Sequence, residues 1–221
     1  VRRRLLTLGG RTPLPVGALL ALAALATAAG TVSPPLGRWL ILQVPEPGTP
    51  VAAVASEPWR LVTWSFFQGP LPSSLLSLLF GGFLLARLGG ELARAWGPRR
   101  LLWWCLALSA GGGGLSLLVL APFGWPVGWF GLWPVVNALV VSWGLAFPRR
   151  PLGWLGLAQV RGGVAAWAVT VATPLWAVLL GPAALPVGGR LLLYLPNLVA
   201  LALAWTWGLA PGGPDRQLTA T

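Results

Sequence analysis

The sequence predicts an all-α, polytopic membrane protein with a bundle of six transmembrane helices. Three observations predict it. Hydrophobic residues make up 56% of the 221 and charged residues only 9%. A soluble domain carries about 25% charged residues, so this chain lacks the polar surface to face water all round. Its mean hydropathy is +0.77. Its charges cluster between uncharged runs long enough for a helix to cross a hydrocarbon core of roughly 30 Å, which takes about 20 residues.

Residues 1–15 form a basic N-terminal segment holding Arg2, Arg3, Arg4 and Arg11. The first span is 16–32, rich in Ala and Leu and closed by Pro34 and Pro35. A cleavable signal peptide is its rival, because a basic start precedes an apolar core. The apolar run exceeds the usual length of such a core, and we read a retained helix. Residues 38–60 are less apolar and form a long outer loop with Trp39, Pro45, Glu46, Pro47, Glu57, Pro58, Trp59 and Arg60. The second span, 72–88, begins inside the uncharged stretch 61–86. No charge falls between Arg100 and Arg149, and Pro122, Gly124, Pro126, Gly128 and Gly131 mark a turn region within that interval. It therefore holds a third span at 101–120 and a fourth at 132–147. The fifth span is 162–180, ended by Gly181, Pro182 and Pro186, and the sixth is 191–207. Residues 209–221 are a polar tail.

Six spans sort the arginines. One side receives Arg2, Arg3, Arg4, Arg11, Arg87, Arg94, Arg99, Arg100, Arg149, Arg150, Arg161 and Arg216; the other receives Arg38, Arg60 and Arg190. Arginine is held on the cytoplasmic side of membrane proteins, so both termini are predicted cytoplasmic, in a plasma (inner) membrane. Trp39, Trp59, Trp64, Trp96, Trp103, Trp104, Trp125, Trp129, Trp205 and Trp207 lie near span ends, where an amphipathic ring suits the headgroup zone.

The net charge of +11 does not point to nucleic acid. The arginines sit singly or in short clusters between apolar runs and form no basic stripe. Cys105 is the single cysteine, which excludes an intrachain disulfide and a cysteine-rich metal site. Neither a metal nor a cofactor is expected, and the lipid bilayer is the first partner. No ionisable residue lies at mid-depth of a span, which argues against an ion or proton pathway. Gly111–Gly114 lacks the Lys-Ser/Thr ending of a phosphate loop and lies within a span.

Helices in lipid associate through close packing of small residues. Three seams have the four-residue spacing that aligns one helical face: Gly82/Ala86/Gly90, Ala138/Ser142/Ala146 and Ala200/Ala204/Gly208. They suggest that the second, fourth and sixth helices meet centrally. Polar residues inside the spans are Ser73, Ser74, Ser77, Asn137, Ser142, Thr170, Thr173 and Asn197. Asn137 and Asn197 are read as hydrogen-bonding between helices, with client contact as the alternative.

Two strings carry a family resemblance. Glu57-Pro58-Trp59-Arg60-Leu61-Val62-Thr63 resembles the P-W-R-L-V-T approach to the second helix of rhomboid intramembrane proteases. Leu88-Gly89-Gly90-Glu91-Leu92-Ala93-Arg94-Ala95-Trp96-Gly97-Pro98-Arg99-Arg100-Leu101 is similar to that family's loop between its second and third helices, with Glu91 displaced from the usual acidic position, which Ala93 occupies. Ser109-Ala110-Gly111 to Gly114 resembles the small-residue end of its third helix. The resemblance implies a six-helix rhomboid-like bundle and a brace of the outer loop by Trp59 and Arg60.

The catalytic residues do not carry over. The family's G-x-S-G serine motif aligns with Gly131-Leu132-Trp133-Pro134, so Trp133 stands at the nucleophile's position. The family's sixth-helix histidine motif aligns with Tyr194, Asn197 and Leu201, and the second-helix positions that help hold the oxyanion fall on Ser77 and Gly81. Independently of alignment, a serine hydroxyl needs a base to become a nucleophile, and the chain has no histidine and no lysine. Its four carboxylates sit in loops or the tail, so an aspartyl intramembrane site is unavailable too. Trp133 and Pro134 either plug the former active-site space or serve as an interface anchor and a first-turn proline. The expected function is a pseudoprotease that binds a transmembrane segment or partner. The alternatives are an accessory or assembly subunit of a larger membrane complex and, less favoured, an active intramembrane protease.

Overall fold

The computed structural model describes residues 7–8, 12–44, 56–72, 74–123, 127–154 and 158–209. Arg2, Arg3, Arg4, Arg11, Glu46, Ser73, Trp125, Asp215, Arg216 and the polar tail beyond Leu209 lie outside them. The described residues are mostly helical. Its helices are α1 (Leu14–Val32), α2 (Pro34–Leu40), α3 (Arg60–Thr63), α4 (Leu75–Trp96), α5 (Pro98–Leu120), α6 (Trp133–Ala146), α7 (Gly162–Leu180), α8 (Val187–Leu193) and α9 (Leu195–Leu209). Three two-stranded antiparallel ribbons join them: β1 (Thr7–Leu8) with β2 (Thr12–Pro13), β3 (Leu42–Gln43) with β4 (Gly128–Trp129), and β5 (Pro151–Trp154) with β6 (Ala158–Arg161).

Prolines and glycines set the helix limits. Pro34 and Pro35 open α2, Pro98 opens α5 and Pro134 opens α6, all in a first turn where a missing N–H costs nothing. Gly97 separates α4 from α5 at φ +92°, a region that side-chain-bearing residues avoid. Among the described residues, four helices are long and apolar enough to cross a membrane: Leu14–Val32, Leu75–Trp96, Pro98–Phe123 and Gly162–Leu180. A fifth crossing arises if α8 and α9, bent by 66° at Tyr194, count as one. α6 is apolar but has 14 residues, about 21 Å, less than the roughly 30 Å core.

Several boundaries differ from the sequence reading. The second span was placed at 72–88, but its helix continues to Trp96 and contains a π-helical turn over Leu85–Gly89. Glu91 and Arg94 read as loop in a hydropathy pattern, yet both lie in the helix, where Glu91 has Arg87 and Trp143 as partners. The span at 191–207 is not one continuous helix but breaks at Tyr194, just before Pro196. The all-α reading omits the ribbons, which are too short to show in a hydropathy pattern.

α6 is the hub. Eleven of its fourteen residues are buried, including Val135, Leu139 and Val141, so it is apolar on every side, as a helix surrounded by others must be. It packs most extensively on α9 and α7. A Cβ on Gly144 would collide with the carbonyl oxygen of Gly162 and stand 2.8 Å from Ala166 Cβ; the backbones of α6 and α7 therefore touch. Ala138, Ser142, Ala146, Ala200, Ala204 and Gly208 are all buried. Ala200 faces Gly112 of α5. The second helix does not join this seam through Gly82/Ala86/Gly90. A Cβ on Gly82 would meet Leu20 of α1, Gly90 faces Pro13, and Ala86 is half-buried. The reason is tertiary: Gly81, one position away, is the glycine that approaches α6, at Leu132 and Val136.

The tryptophans are also corrected. Trp64, Trp104 and Trp129 are 1%, 7% and 6% exposed, and so are core residues, whereas Trp39, Trp59 and Trp103 remain on the surface. Each of these three indoles finds a hydrogen-bond acceptor: Trp64 Nε1 donates to the Leu61 carbonyl, Trp104 Nε1 to Ser142 Oγ at 3.2 Å, and Trp129 Nε1 to the Leu193 carbonyl at 2.9 Å.

Among the described residues the ends of the bundle differ in charge. Glu91 accepts from Trp143 Nε1 at 2.8 Å and from Arg150 Nη1 at 3.2 Å, and Arg87 lies 3.8 Å away. Arg100 stacks on Trp207, 5.7 Å from the ring centre. At the other end Arg60 pairs with Glu57 at 2.6 Å and donates to the Arg38 and Ile41 carbonyls, both at 2.9 Å. Trp59 lies against Trp39, with ring centres 5.4 Å apart. Arg190 donates to the Leu185, Val178 and Ala183 carbonyls, tying the α7–α8 connection.

Glu91 gives a first prediction. Its carboxylate is 12% exposed and satisfies a tryptophan that is 1% exposed. Glu91→Ala leaves that N–H without a partner, a loss of about 2 kcal/mol, read as a lower unfolding midpoint in detergent. Glu91→Gln keeps an acceptor and is expected to recover at least half of the loss. Equal midpoints for the two variants would show that the acceptor contributes nothing.

Candidate functional site

The site is built where α6 begins. Gly131, at φ +113°, donates its N–H to the Trp64 carbonyl at 3.0 Å, a turn that glycine adopts without steric penalty. It aims the next residues into the bundle. Trp133 Nε1 donates to Ser77 Oγ of α4 at 2.8 Å, and its ring lies 5.7 Å from that of Phe80. Ser77 in turn donates to Gln68 Oε1 at 3.3 Å, and the Gln68 N–H donates to Thr27 Oγ1 of α1 at 3.1 Å. One hydrogen-bonded line thus joins α6, α4, the segment after α3, and α1.

A second network lies one helical turn further along α6. Asn137 Nδ2 donates to Asn197 Oδ1 of α9 at 3.2 Å and to Thr173 Oγ1 of α7 at 3.4 Å. Thr173 Oγ1 donates to the Val169 carbonyl at 2.8 Å. Asn197 is placed by the break after α8, which turns the chain inward at Tyr194 and restarts it with Pro196 in the first turn of α9.

Above this network is a cavity of about 630 Å³, within the range of small-ligand sites. Six aromatic side chains line it, Trp64, Trp129, Phe130, Trp133, Trp176 and Tyr194, together with Asn137, Thr173 and Asn197, and among the described residues no charged one does. Trp133 is 36% exposed and Trp176 58% exposed, which puts both at the mouth.

The structure brings Trp133, Pro134, Tyr194 and Asn197 onto one cavity wall. Ser77 and Gly81 do not line it: Ser77 is bonded to Trp133, and Gly81 backs onto Leu132 and Val136. Gly131 stands beside Gln68, which a Cβ would approach to 3.8 Å. Trp59 and Arg60 lie in the brace of the outer segment described above.

Sequence reasoning did not assign six participants to the site: Gln68, Trp64, Trp129, Phe130, Thr173 and Trp176. Gln68, Trp64 and Trp129 gave a usable signal, a glutamine and two tryptophans in or beside apolar runs. Trp176 gave none, because its place on the cavity depends on how α7 packs.

The lining can donate and accept hydrogen bonds and stack aromatic groups. The Ser77 and Thr173 hydroxyl protons are already given to Gln68 and Val169. Among the described residues, no group of three or more His, Cys, Asp or Glu is placed to hold a metal ion. No family model matches the chain, and no curated protein matches it.

Proposed function

We propose that this chain is a non-proteolytic, rhomboid-like membrane protein that binds a transmembrane segment. Six spans, both termini in the cytoplasm and residence in the plasma (inner) membrane belong to the proposal, with α6 as a short crossing enclosed by the others. The distribution of charge supports the orientation: Arg87, Arg94, Arg99, Arg100, Arg149, Arg150 and Arg161 belong to one end, against Arg38, Arg60 and Arg190 at the other. That bias is what orients membrane proteins.

The single observation that carries the functional reading is the aromatic cavity itself. Trp133, Pro134, Tyr194 and Asn197, which the resemblance aligns with protease active-site segments, are among its lining residues, in a chain without histidine or lysine. Binding needs the space and the hydrogen bonds; hydrolysis needs a base as well. Exposed apolar side chains on α4, Leu76, Leu79 and Phe83, and on α7, Val171, Leu175 and Trp176, supply flanking faces for a helix in lipid.

Photo-crosslinking residues introduced at Leu79 and Val171 test this in native membranes. They are expected to capture a partner with a transmembrane segment, and one placed at Leu25 of α1 is not. Equal capture from all three positions, or none, would remove the reading. A partner present at fixed stoichiometry in an isolated complex would identify an assembly subunit instead. Trp133→Ser is expected to leave a model transmembrane substrate uncut; cleavage would restore the protease reading.

A further inference from the structure

One end of the bundle carries charge that the fold does not neutralise. Seven described arginines, from Arg87 to Arg161, belong to it, and Glu91 is the one described carboxylate among them. Glu91 is already taken by Arg87 and Arg150. Arg94, Arg99, Arg100, Arg149 and Arg161 are exposed, and none has an acidic partner among the described residues. Uncompensated like charges on one surface repel each other and attract an anion from outside.

The corner where α5 begins shows which anion fits. Arg99 and Trp103 are four residues apart, which aligns them on one face of α5. Trp103 is 70% exposed, and the same side of the helix stays exposed further down at Leu115 and Leu118, 45% and 64%. Arg100 lies over the Trp207 ring of α9, 5.7 Å from its centre, so its guanidinium is held at the junction of α5 and α9. Two exposed guanidinium groups therefore stand at the head of an exposed apolar strip.

We infer that this corner, Arg99 and Arg100 with Trp103 and Trp207, holds the headgroup of an anionic phospholipid whose acyl chains lie along the exposed side of α5. The phosphodiester meets two guanidinium groups with no carboxylate to compete for them. A zwitterionic lipid brings its own ammonium, which the neighbouring arginines repel. A dissolved anion has the charge but no chains to cover Trp103 and Leu118. The inference needs only that the bundle lies in a bilayer, and it is independent of client binding.

The test reconstitutes the full chain in nanodiscs of phosphatidylcholine with a minor fraction of phosphatidylglycerol and counts the retained lipids by native mass spectrometry. Phosphatidylglycerol is expected to exceed its share of the bilayer by about 25-fold, from about fivefold for each arginine at an anionic surface. Raising the salt should shrink that excess, because exposed charges are screened. Retention in proportion to the bilayer, or an excess indifferent to salt, overturns the inference. Arg99→Gln combined with Arg100→Gln is expected to abolish the excess, and a folded variant that keeps it overturns the inference. Arg38→Gln, exposed at the other end, is the control; an equal fall there overturns the assignment to this corner.

A photoreactive phosphatidylglycerol gives a second reading on the unaltered chain, which decides the matter if the double variant fails to fold. Labelled peptides are expected within 99–107 and 203–209, and labelling confined to other helices overturns the site. Inorganic phosphate and a short RNA are expected not to displace the lipid. Displacement by either would make a dissolved anion the ligand and overturn the inference. Capture of a segment at Leu79 and Val171 does not depend on any of these outcomes, so the lipid and client readings fail separately.

Discussion

Gly144→Leu is expected to destabilise the bundle by about 3 kcal/mol, the upper end of what overpacking a tight contact produces. At Gly144 there is no flexible neighbour to give way. An added Cβ meets the carbonyl oxygen of Gly162 and, at 2.8 Å, the Cβ of Ala166. Gly162 is itself pressed on the Phe147 carbonyl, so α7 cannot rotate away without opening the other side of the contact. The only relief is separation of α6 from α7, which loses the dispersion contacts that hold helices together in lipid. A thermal melt in detergent reads this directly. Gly188→Ala is the matched control: nothing lies within 4 Å of a Cβ there, and its midpoint should stay within the shift that about 0.5 kcal/mol produces. If Gly144→Leu melts with the unaltered chain, the backbones of α6 and α7 are not in contact and the hub assignment fails. Because Asn137 and Thr173 face each other across this same pair, the variant should also weaken binding at the cavity.

The long helices were legible because lipid imposes a length and a composition. Uncharged runs at 16–32, 101–120 and 162–180 correspond to α1, α5 and α7 within a few residues. The second was cut short at 88, since a hydropathy pattern treats Glu91 and Arg94 as loop. Glu91 is held there by a tertiary partnership with Trp143 and Arg150, which a hydropathy pattern does not register, beside its i,i+4 neighbour Arg87. The break at Tyr194 had a local signal in Pro196, which has no N–H to give to the Leu192 carbonyl and whose ring crowds it, so the helix cannot run through unbroken. The tryptophans were the least readable. An indole suits the headgroup zone and the core alike, and only packing decides which. Of the cavity residues, the alignment reached Trp133, Pro134, Tyr194 and Asn197, which sit at chain turns where motifs are local. The contribution of α7, Thr173 as a hydrogen-bond partner and Trp176 at the mouth, follows from helix packing and was not visible.

Two tryptophans that the sequence does not distinguish should differ sharply when truncated. Trp64 is 1% exposed, and its Nε1 donates to the Leu61 carbonyl at 3.0 Å and the Ser109 carbonyl at 3.2 Å. A Cβ on Gly113 would stand 2.8 Å from that same nitrogen and 2.6 Å from Leu42 Cδ2, so α5 has no slack to collapse into the space an alanine would leave. Trp64→Ala is therefore expected to cost about 3–5 kcal/mol, the range for a large aromatic lost from a core that cannot close. Trp133 is 36% exposed, holds one hydrogen bond to Ser77, and stands at the mouth of the cavity. Trp133→Ala removes that bond and part of a wall that already faces open space, for about 1 kcal/mol. Chemical unfolding of both variants, followed by near-ultraviolet circular dichroism, measures the difference. The binding readout should separate the two: Trp133→Ala changes access to the cavity in a chain that stays folded, and Trp64→Ala, which also removes part of the lining, loses binding together with structure. Equal stability losses would mean that Trp133 is as deeply enclosed as Trp64, and the cavity would then have no mouth through which a segment could enter.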